Sequence, residues 1–194
     1  EIKACGDKVY ETITDDNGIF VRSQINVKQN EALHIERAAI FSLSLTDEKP
    51  TEKVEASIYS LQKVDFMTES IENAACWQKL WEDSDIYIDG DPKAQLGIRF
   101  SIFCLLAAGP RDINNISIGA KGLTGEGYRG MVFWDTDIHI KPFYDFTQPD
   151  ISRNLALFRY NTLNGARKKA ARYGFKGASY PWETGISGEE ECEK

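Results

Sequence analysis

The sequence predicts an α+β chain in which an antiparallel sheet comes first and helices follow. Two observations lead to this prediction. Apolar and polar residues alternate over roughly the first 45 residues, which is typical of strands, and apolar residues recur at helical spacing further along the chain. The chain is 42% hydrophobic and 27% charged, as expected of a globular protein that can bury a core.

Three alternating runs predict strands. Residues 8–13 alternate, turn residues follow at 15–18, and residues 19–27 alternate again. Residues 39–45 form the third run. The pattern indicates an antiparallel sheet with one face in water. Since three strands alone make a poor domain, we expect other segments to complete this sheet. A polar stretch at 46–50 then predicts a linker.

The best-supported helix start in the sequence lies at Asp91. This residue is expected to cap a helix whose first residue is Pro92. Residues 94–108 are apolar nearly all round, so we expect this helix to be buried on most sides, with Cys104 as a packing residue. The Gly109-Pro110 pair should end it.

Further helices are predicted on both sides of this one. Residues 70–83 carry a broad apolar face, and residues 85–89 suit a short extended segment. One long final helix is expected to start near Thr147, because Thr147-x-x-Asp150 resembles a capping box. Gly174 is the expected stop of that helix.

Charge and cysteine usage exclude several classes of partner. The net charge of −7 argues against nucleic acid and anionic membrane surfaces, and no apolar run approaches the ~20 residues that span a bilayer. No cysteine or histidine spacing suggests a metal site or a disulfide framework, which fits a reducing cytoplasm. The chain starts without Met and without a signal-peptide pattern, so we expect a fragment boundary there. The scattered cysteines are Cys5, Cys76, Cys104 and Cys192.

The segment 121–137, KGLTGEGYRGMVFWDTD, has the composition of a carbohydrate site. It combines three aromatic residues and four glycines with acidic and basic side chains. A pyranose ring has apolar faces that stack on aromatics such as Trp134, and its hydroxyls bind groups such as Asp135 and Arg129. Glycines let the backbone approach a ligand closely.

A second interpretation of this segment is purely structural: Phe133 and Trp134 are core residues and Asp135 caps the helix that follows. The residues alone leave both interpretations open. The Trp182-Glu183 pair repeats the combination of indole and carboxylate in another loop, and sites usually lie on loops. This repetition favours a binding site.

These motifs resemble glycoside hydrolase family 65, which includes maltose, trehalose, kojibiose and nigerose phosphorylases and some acid trehalases. The resemblance is dense from about Trp77 onwards and thin before Pro50. The matching positions are 122–130, 133–136, 153–155, 159–160, 162–163, 165–167 and 180–183.

The resemblance implies the architecture of a fragment. Residues 1–48 would be the last strands of an N-terminal antiparallel β-sandwich, residues 49–84 a helical linker, and residues 85–194 the first helices of an (α/α)6 barrel. Twelve barrel helices need roughly 400 residues at usual helix and loop lengths, so the fragment would supply only part of the barrel.

The resemblance also implies which residues bind the sugar. Trp134 and Asp135 would line the pocket of the transferred glucosyl unit, and Phe133 would support them. Arg129, Trp182 and Glu183 are further substrate-binding candidates. Met131 stands where a His is common in the family, and Asp137 where a Glu is common. The general acid, a Glu in a G-P-x-E-type segment, is expected downstream, so no catalytic residue is assigned within the chain and the fragment alone should be inactive.

The implied activity is that of an inverting α-glucoside phosphorylase in the full-length protein. It would cleave a maltose- or trehalose-type disaccharide with inorganic phosphate as co-substrate, giving glucose 1-phosphate without an organic cofactor or a metal. The alternatives are a trehalase-like α-glucoside hydrolase and a non-catalytic sugar-binding module. The resemblance further implies a cytoplasmic homodimer.

The remaining charged clusters suggest solvent-exposed surface. A terminal acidic run is usually solvated and mobile, so we expect no site at Glu189, Glu190, Glu191 and Glu193. The basic run 167–169 is interpreted as a solvated helix end that complements the helix dipole.

Overall fold

The computed structural model describes residues 11–16, 18–44, 47–61, 64–123, 125 and 127–192. By its internal packing the chain divides into two compact units, Glu1–Asn73 and Ala74–Lys194. The mixture of helices with small antiparallel sheets confirms the α+β prediction at this level. The domain boundaries predicted after residues 48 and 84 remain predictions.

The first unit contains a hairpin and a helix, and shares a second helix with the other unit. Its elements are β1 (Glu11–Asp15), β2 (Gly18–Arg22), α1 (Pro50–Leu61) and the start of α2 (Phe66–Glu82). The second unit continues α2 and adds α3 (Pro92–Ala108), a 3-10 turn (Gly127–Gly130), β3 (Val132–Phe133), a π-helical turn (Thr136–Ile140), α4 (Lys141–Thr147), α5 (Pro149–Asn161), α6 (Leu163–Arg172) and β4 (Glu183–Thr184).

The hairpin confirms two of the three expected strands in part, since residues 8–10 lie outside the described residues and the second strand ends at Arg22 instead of residue 27. β1 and β2 are antiparallel, with Ile13 opposite Phe20 and Asp15 opposite Gly18. The third expected strand, 39–45, is wrong over its described part. Residues 39–44 do not form a strand, and Phe41 is 89% exposed. Alternation marks the face that a strand would bury, but a strand also needs a neighbouring ladder.

Local capping signals locate the starts of α2 and α3. Asp65 begins α2, because its Oδ2 accepts hydrogen bonds from the Thr68 amide and hydroxyl at 2.9 Å. The helix therefore starts four residues earlier than residue 70. Asp91 caps α3 as predicted, since its Oδ1 accepts the amides of Lys93 and Ala94 at 3.0 Å. Each cap satisfies amides that have no partner within the helix.

The expected burial of α3 on most sides is not found among the described residues. Only one side is covered, where Leu106 is fully buried and Ile102 is 2% exposed. Leu96 and Phe100 are 72% and 64% exposed, and Cys104 is exposed too. The apolar composition predicts what the helix can bury, but no described segment covers this face.

The core of the second unit forms where α3, α4 and α5 meet. Ile118, Tyr144, Ile151 and Leu155 make up one buried cluster. The Tyr144 hydroxyl donates to the carbonyl of Leu105 at 2.5 Å, and burial raises the pKa of Tyr144 well above its usual range. The hydroxyl therefore stays protonated and keeps its partner, as a buried polar group must.

The prediction of one long final helix is wrong, because two shorter helices, α5 and α6, occupy its range and α4 ends where it was expected to start. Thr147 is the last residue of α4, and its hydroxyl donates to the Phe143 carbonyl rather than capping a helix. Gln148 precedes α5 without a side-chain cap, and the helix ends at Asn161, with Thr162 as its C-cap. The capping-box pattern gave a wrong helix start, because Thr147 already belongs to the last turn of α4.

α6 ends where expected. Gly174 has φ +77°, a conformation that favours glycine. Its amide donates to Ala171 at 3.0 Å and the Phe175 amide donates to Ala170 at 2.9 Å, which together form a Schellman motif. The chain then returns across α6, where Ser179 donates to the Ala166 carbonyl at 3.0 Å.

A close backbone approach joins α6 to the segment after β4. A Cβ at Gly165 would lie well inside contact distance of the carbonyl group of Gly188. Gly188 in turn has φ +70° and lies against Thr162. No side chain fits between these two glycines, so α6 and the terminal segment are held at backbone distance.

The two glycines inside helices should respond oppositely to alanine. Gly165→Ala should lower the free energy of unfolding by about 1–3 kcal/mol, because the methyl group collides with backbone that cannot move aside. Gly97→Ala in α3 has nothing within 4 Å of its new Cβ, and should raise that free energy by about 0.5–1 kcal/mol through helix propensity. Chemical denaturation of both variants measures the contrast, and equal responses would contradict the close approach.

Candidate functional site

Two short strands bring together segments that lie far apart in the sequence. β3 pairs with β4 in antiparallel fashion, with Val132 opposite Thr184 and Phe133 opposite Glu183. Val132, Phe133 and Thr184 are buried, and Glu183 is half-buried. The pairing therefore anchors both backbones in the interior and places the residues that flank the four paired ones side by side.

Those flanking residues are two tryptophans that form an aromatic cluster. The rings of Trp134 and Trp182 lie 5.4 Å apart at 77°, and Phe133 meets Trp182 at 5.9 Å and 82°. Edge-to-face pairs contribute about 0.5–1.5 kcal/mol each beyond burial. Phe133 is 7% exposed, whereas Trp134 and Trp182 are 41% and 47% exposed. The core interpretation is thus right for Phe133 and wrong for Trp134.

Asp135 follows Trp134 and has no structural role that the described residues reveal. It occupies the N-cap position of the π-helical turn, but its side chain makes no capping hydrogen bond. It is exposed, and no hydrogen bond or ion pair links it to any described residue. The interpretation of Asp135 as a helix cap is therefore wrong. Its exposed carboxylate can accept hydrogen bonds from a ligand.

Arg129 lies in a strained part of the loop before β3. Tyr128 and Arg129 have φ of +59° and +52°, a region that costs a residue with a side chain about 1–3 kcal/mol. Tyr128 packs edge-on against Phe133 at 5.3 Å. Arg129 is exposed, and within the described part of the loop and its neighbours no contact joins it to Asp135. The structure does not bring Arg129 into the cluster.

A partly buried ion pair lies behind Trp134. Arg159 of α5 donates to Asp137 Oδ2 from Nε at 2.9 Å and from Nη2 at 2.6 Å, and to the Phe133 carbonyl at 3.2 Å. The Arg159 side chain is 12% exposed and that of Asp137 is 31% exposed. Arg159 Nη1 is buried without a partner among the described residues. This pair connects α5 to both ends of the Phe133–Asp137 segment.

An open concavity of about 420 Å³ lies in front of this ion pair. Trp134, Asp137, Ile138, Arg159 and Tyr180 line it. The Tyr180 hydroxyl donates to the Arg159 carbonyl at 3.0 Å, and the Arg159 guanidinium lies 5.7 Å from the Tyr180 ring. An apolar wall with a carboxylate at its edge suits a sugar ring.

Sequence reasoning did not assign Asp137, Arg159 and Tyr180 to the site. All three lie at or beside positions that match the resemblance, so the matching runs were the available signal. Their placement around one concavity depends on α5 crossing behind β3, which no local pattern predicts. Ile138 carried no signal of its own.

The acidic run near the end of the chain is not simply solvated. Glu190 accepts hydrogen bonds from the amides of Trp182 and Glu183, each at 3.0 Å, and from Lys169 Nζ at 2.7 Å. The side chains of Glu190 and Lys169 are 20% and 17% exposed. Burial alone would raise the pKa of Glu190, but these hydrogen bonds outweigh it and hold the pKa below its usual range.

The expectation of a solvated surface is therefore wrong for Glu190 and for Lys169, and it is confirmed in part for the neighbouring pair. Glu189 binds Lys168 at 2.7 Å, with side chains 44% and 69% exposed. Glu193 lies outside the described residues. Composition could not separate the two glutamates, because the difference between them is which backbone amides they face.

Several other site types find no support in the described chain. No group of three or more His, Cys, Asp or Glu side chains there could hold a metal ion. No described helix is long and apolar enough to cross a bilayer. Cys76, Cys104 and Cys192 are exposed, which corrects the expected burial of Cys104, and Cys5 lies outside the described residues.

Comparison with known proteins identifies the family. Residues 99–194 match the model of the glycosyl hydrolase family 65 central catalytic domain. The chain belongs to this family, glycoside hydrolase family 65. The match covers β3, β4 and every residue of the aromatic cluster.

The similar proteins include kojibiose and trehalose phosphorylases of much greater length. The chain is 41% identical over 189 residues to a kojibiose phosphorylase of Halothermothrix orenii, covering 93% of this chain and 24% of the relative. It is 51% identical over 104 residues to an alpha,alpha-trehalose phosphorylase of Thermoanaerobacter brockii, covering 54% and 13%. A solved structure assigned as a kojibiose phosphorylase from the human microbiome matches with TM-score 0.69 and 33% identity, covering 75% of this chain and 19% of that one. The chain thus spans about a quarter of the length of the first curated relatives.

The Arg159–Asp137 pair should contribute more to stability than an exposed pair of the same type. Asp137→Ala should lower the free energy of unfolding by about 3 kcal/mol, because it leaves a buried guanidinium without a countercharge. Asp85→Ala is the matched control. Asp85 also binds Arg99 through two hydrogen bonds, at 2.6 and 3.0 Å, but the side chains are 38% and 50% exposed. Its loss should cost under about 1 kcal/mol, and similar losses in denaturation would contradict the buried role.

Proposed function

We propose that the full-length protein containing this chain is an inverting phosphorylase of α-linked glucose disaccharides. It transfers the glucosyl unit to inorganic phosphate and releases glucose 1-phosphate, without an organic cofactor. The observation that carries the proposal is the pair of half-exposed indoles of Trp134 and Trp182, 5.4 Å apart, in a chain of this family. Asp135 follows Trp134 directly, and its carboxylate makes no capping hydrogen bond.

In the proposed site Trp134 stacks on the apolar face of the transferred glucose. Asp135 accepts hydrogen bonds from sugar hydroxyls, or stabilises the positive charge that develops at the anomeric carbon as the glycosidic bond breaks. The phosphate nucleophile is already anionic, so a phosphorolytic reaction needs no protein base. We assign the general acid to the part of the protein outside residues 1–194.

Glu183, Trp182 and Arg129 have different weights in this proposal. Trp182 supports Trp134 edge-on and extends the aromatic wall. Glu183 pairs with Phe133 across β3 and β4 and is half-buried, so we propose a role at the edge of the wall. Arg129 is exposed on its loop and would reach the sugar only through a change of that loop.

The exposed apolar face of α3 fits the proposed architecture. Leu96, Phe100 and Phe103 are 72%, 64% and 43% exposed, which is unusual for a helix that also contributes to a core. A helix of an (α/α)6 barrel packs against neighbours on more than one side. We propose that helices of the full-length protein cover this face, and that the protein is a cytoplasmic homodimer as the family resemblance implies.

Phosphate dependence tests the reaction type. The full-length protein is incubated with kojibiose, trehalose, nigerose or maltose, with and without inorganic phosphate. We expect glucose 1-phosphate from at least one disaccharide only when phosphate is present, and NMR of the product should show the inverted β anomer. Free glucose from both halves of the disaccharide, without phosphate, would instead indicate a hydrolase. Binding without turnover would indicate a sugar-binding module.

Substitutions at Trp134 and Asp135 test the site. Trp134→Ala should raise KM for the disaccharide at least tenfold through lost stacking. Asp135→Asn should lower kcat/KM at least about tenfold, because a hydrogen bond to a charged group contributes about 1.5–3 kcal/mol. Asp112→Asn is the matched control, since Asp112 is also exposed but lies outside the aromatic cluster. Wild-type kinetics in Asp135→Asn would remove this residue from the site.

A further inference from the structure

Glu190 holds the strand that carries Trp182. One carboxylate oxygen accepts the Glu183 amide at 3.0 Å, and the other accepts the Trp182 amide at 3.0 Å together with Lys169 Nζ at 2.7 Å. Lys169 also donates to the Tyr180 carbonyl at 3.3 Å. Two charged side chains therefore bind the backbone of three residues in the segment 180–183.

The strand itself is too short to fix this segment. β4 contains two residues and pairs only with the two residues of β3, and a two-stranded ladder of this kind is marginal in water. Charge-assisted hydrogen bonds are about twice as strong as neutral ones. The amides that Glu190 binds belong to Trp182 and to the adjacent paired residue Glu183. The carboxylate therefore fixes the backbone from which the Trp182 indole projects.

We propose that Glu190 is a positioning residue for sugar binding, which acts by fixing the backbone of Trp182 so that its indole supports Trp134. The inference rests on the proposed function for its kinetic consequence. It assigns a role to a carboxylate that binds the backbone amides of Trp182 and Glu183.

The neighbouring glutamate supplies a matched control within the same turn of chain. Glu189 binds Lys168 of α6 at 2.7 Å, as Glu190 binds Lys169 of α6 at 2.7 Å. The difference is that Glu189 accepts no backbone amide of the segment 180–183 in the described chain, and its ion pair is exposed. A general effect of losing one carboxylate near α6 would therefore appear in both variants.

Kinetics of the full-length protein test the role. Glu190→Gln should raise KM for the disaccharide about tenfold and leave kcat within about twofold, because an amide cannot accept both backbone N–H groups and the lysine. Glu189→Gln should leave both constants unchanged. Should Glu190→Gln fail to fold, Glu190→Asp carries the test, since its shorter side chain cannot reach all three donors and should raise KM by a smaller factor. An unchanged KM in the folded Glu190 variant, or an equal rise in Glu189→Gln, would overturn the inference.

Lys169→Gln separates the amide contacts from the ion pair. It removes the lysine but leaves the Glu190 carboxylate free to accept both amides, so KM should rise less than in Glu190→Gln. A rise as large as that of Glu190→Gln would show that Lys169, through the ion pair or its bond to the Tyr180 carbonyl, is the determining residue, and it would overturn the positioning by the amide contacts of Glu190.

A spectroscopic measurement distinguishes failure of this inference from failure of the proposed function. Two indoles 5.4 Å apart at 77° couple excitonically and contribute to circular dichroism, and Trp182→Phe defines that contribution. Glu190→Gln should lose most of it, and Glu189→Gln should keep it. If the wild type shows no phosphorolysis, the proposed function fails while this signal still decides the role of Glu190. A full signal in Glu190→Gln would contradict the inference.

Discussion

The candidate site depends on the pairing of two residues of β3 with two residues of β4. So short a ladder brings little stability of its own, and its neighbourhood compensates. Three of the four paired residues are buried, Arg159 binds the carbonyl of Phe133, and Glu190 binds the amide of Glu183. Because Trp134 and Trp182 directly follow and precede the paired residues, the positions of both indoles depend on the buried interactions behind the ladder.

Charged side chains provide much of that precision. Arg159 with Asp137, and Glu190 with Lys169, are partly buried pairs that bind backbone as well as each other. A pair of this kind is weak evidence for net stability, but it specifies one geometry, since a wrong arrangement leaves a buried charge unsatisfied. The groups that face solvent are not bound in this way, since Trp134 is half-exposed and the Asp135 side chain makes no capping hydrogen bond. A preorganised binding surface requires groups that are free to bind a ligand and that are held in place by rigid interactions behind them.

The sequence predicted features that depend on neighbouring residues of the chain, and it failed for features that depend on packing between distant segments. Asp91 was identified as a cap because its partners are the next residues of the chain. Thr147 carries an equally good local pattern, yet it belongs to the preceding helix, and only the packing of α4 decides between them. Composition located Trp134 with Asp135, since unusual residues were concentrated there. Composition could not locate Glu190, because the role of this residue depends on backbone amides that come near it only when the chain returns over α6. Nor could composition predict the exposure of Cys104.

The close approach of Gly165 and Gly188 determines where this protein can change length. The chain from Gly174 to Ser179 is anchored at both ends, by the Schellman motif and by the hydrogen bond to Ala166. Downstream, the contact between Gly165 and Gly188 fixes the position of the backbone again. Extra residues introduced near Gly177, which is exposed and lies in the left-handed region, would bulge into solvent without disturbing either anchor. Insertions after β4 would instead separate the glycines, so natural or engineered lengthening should be confined to the outer loop.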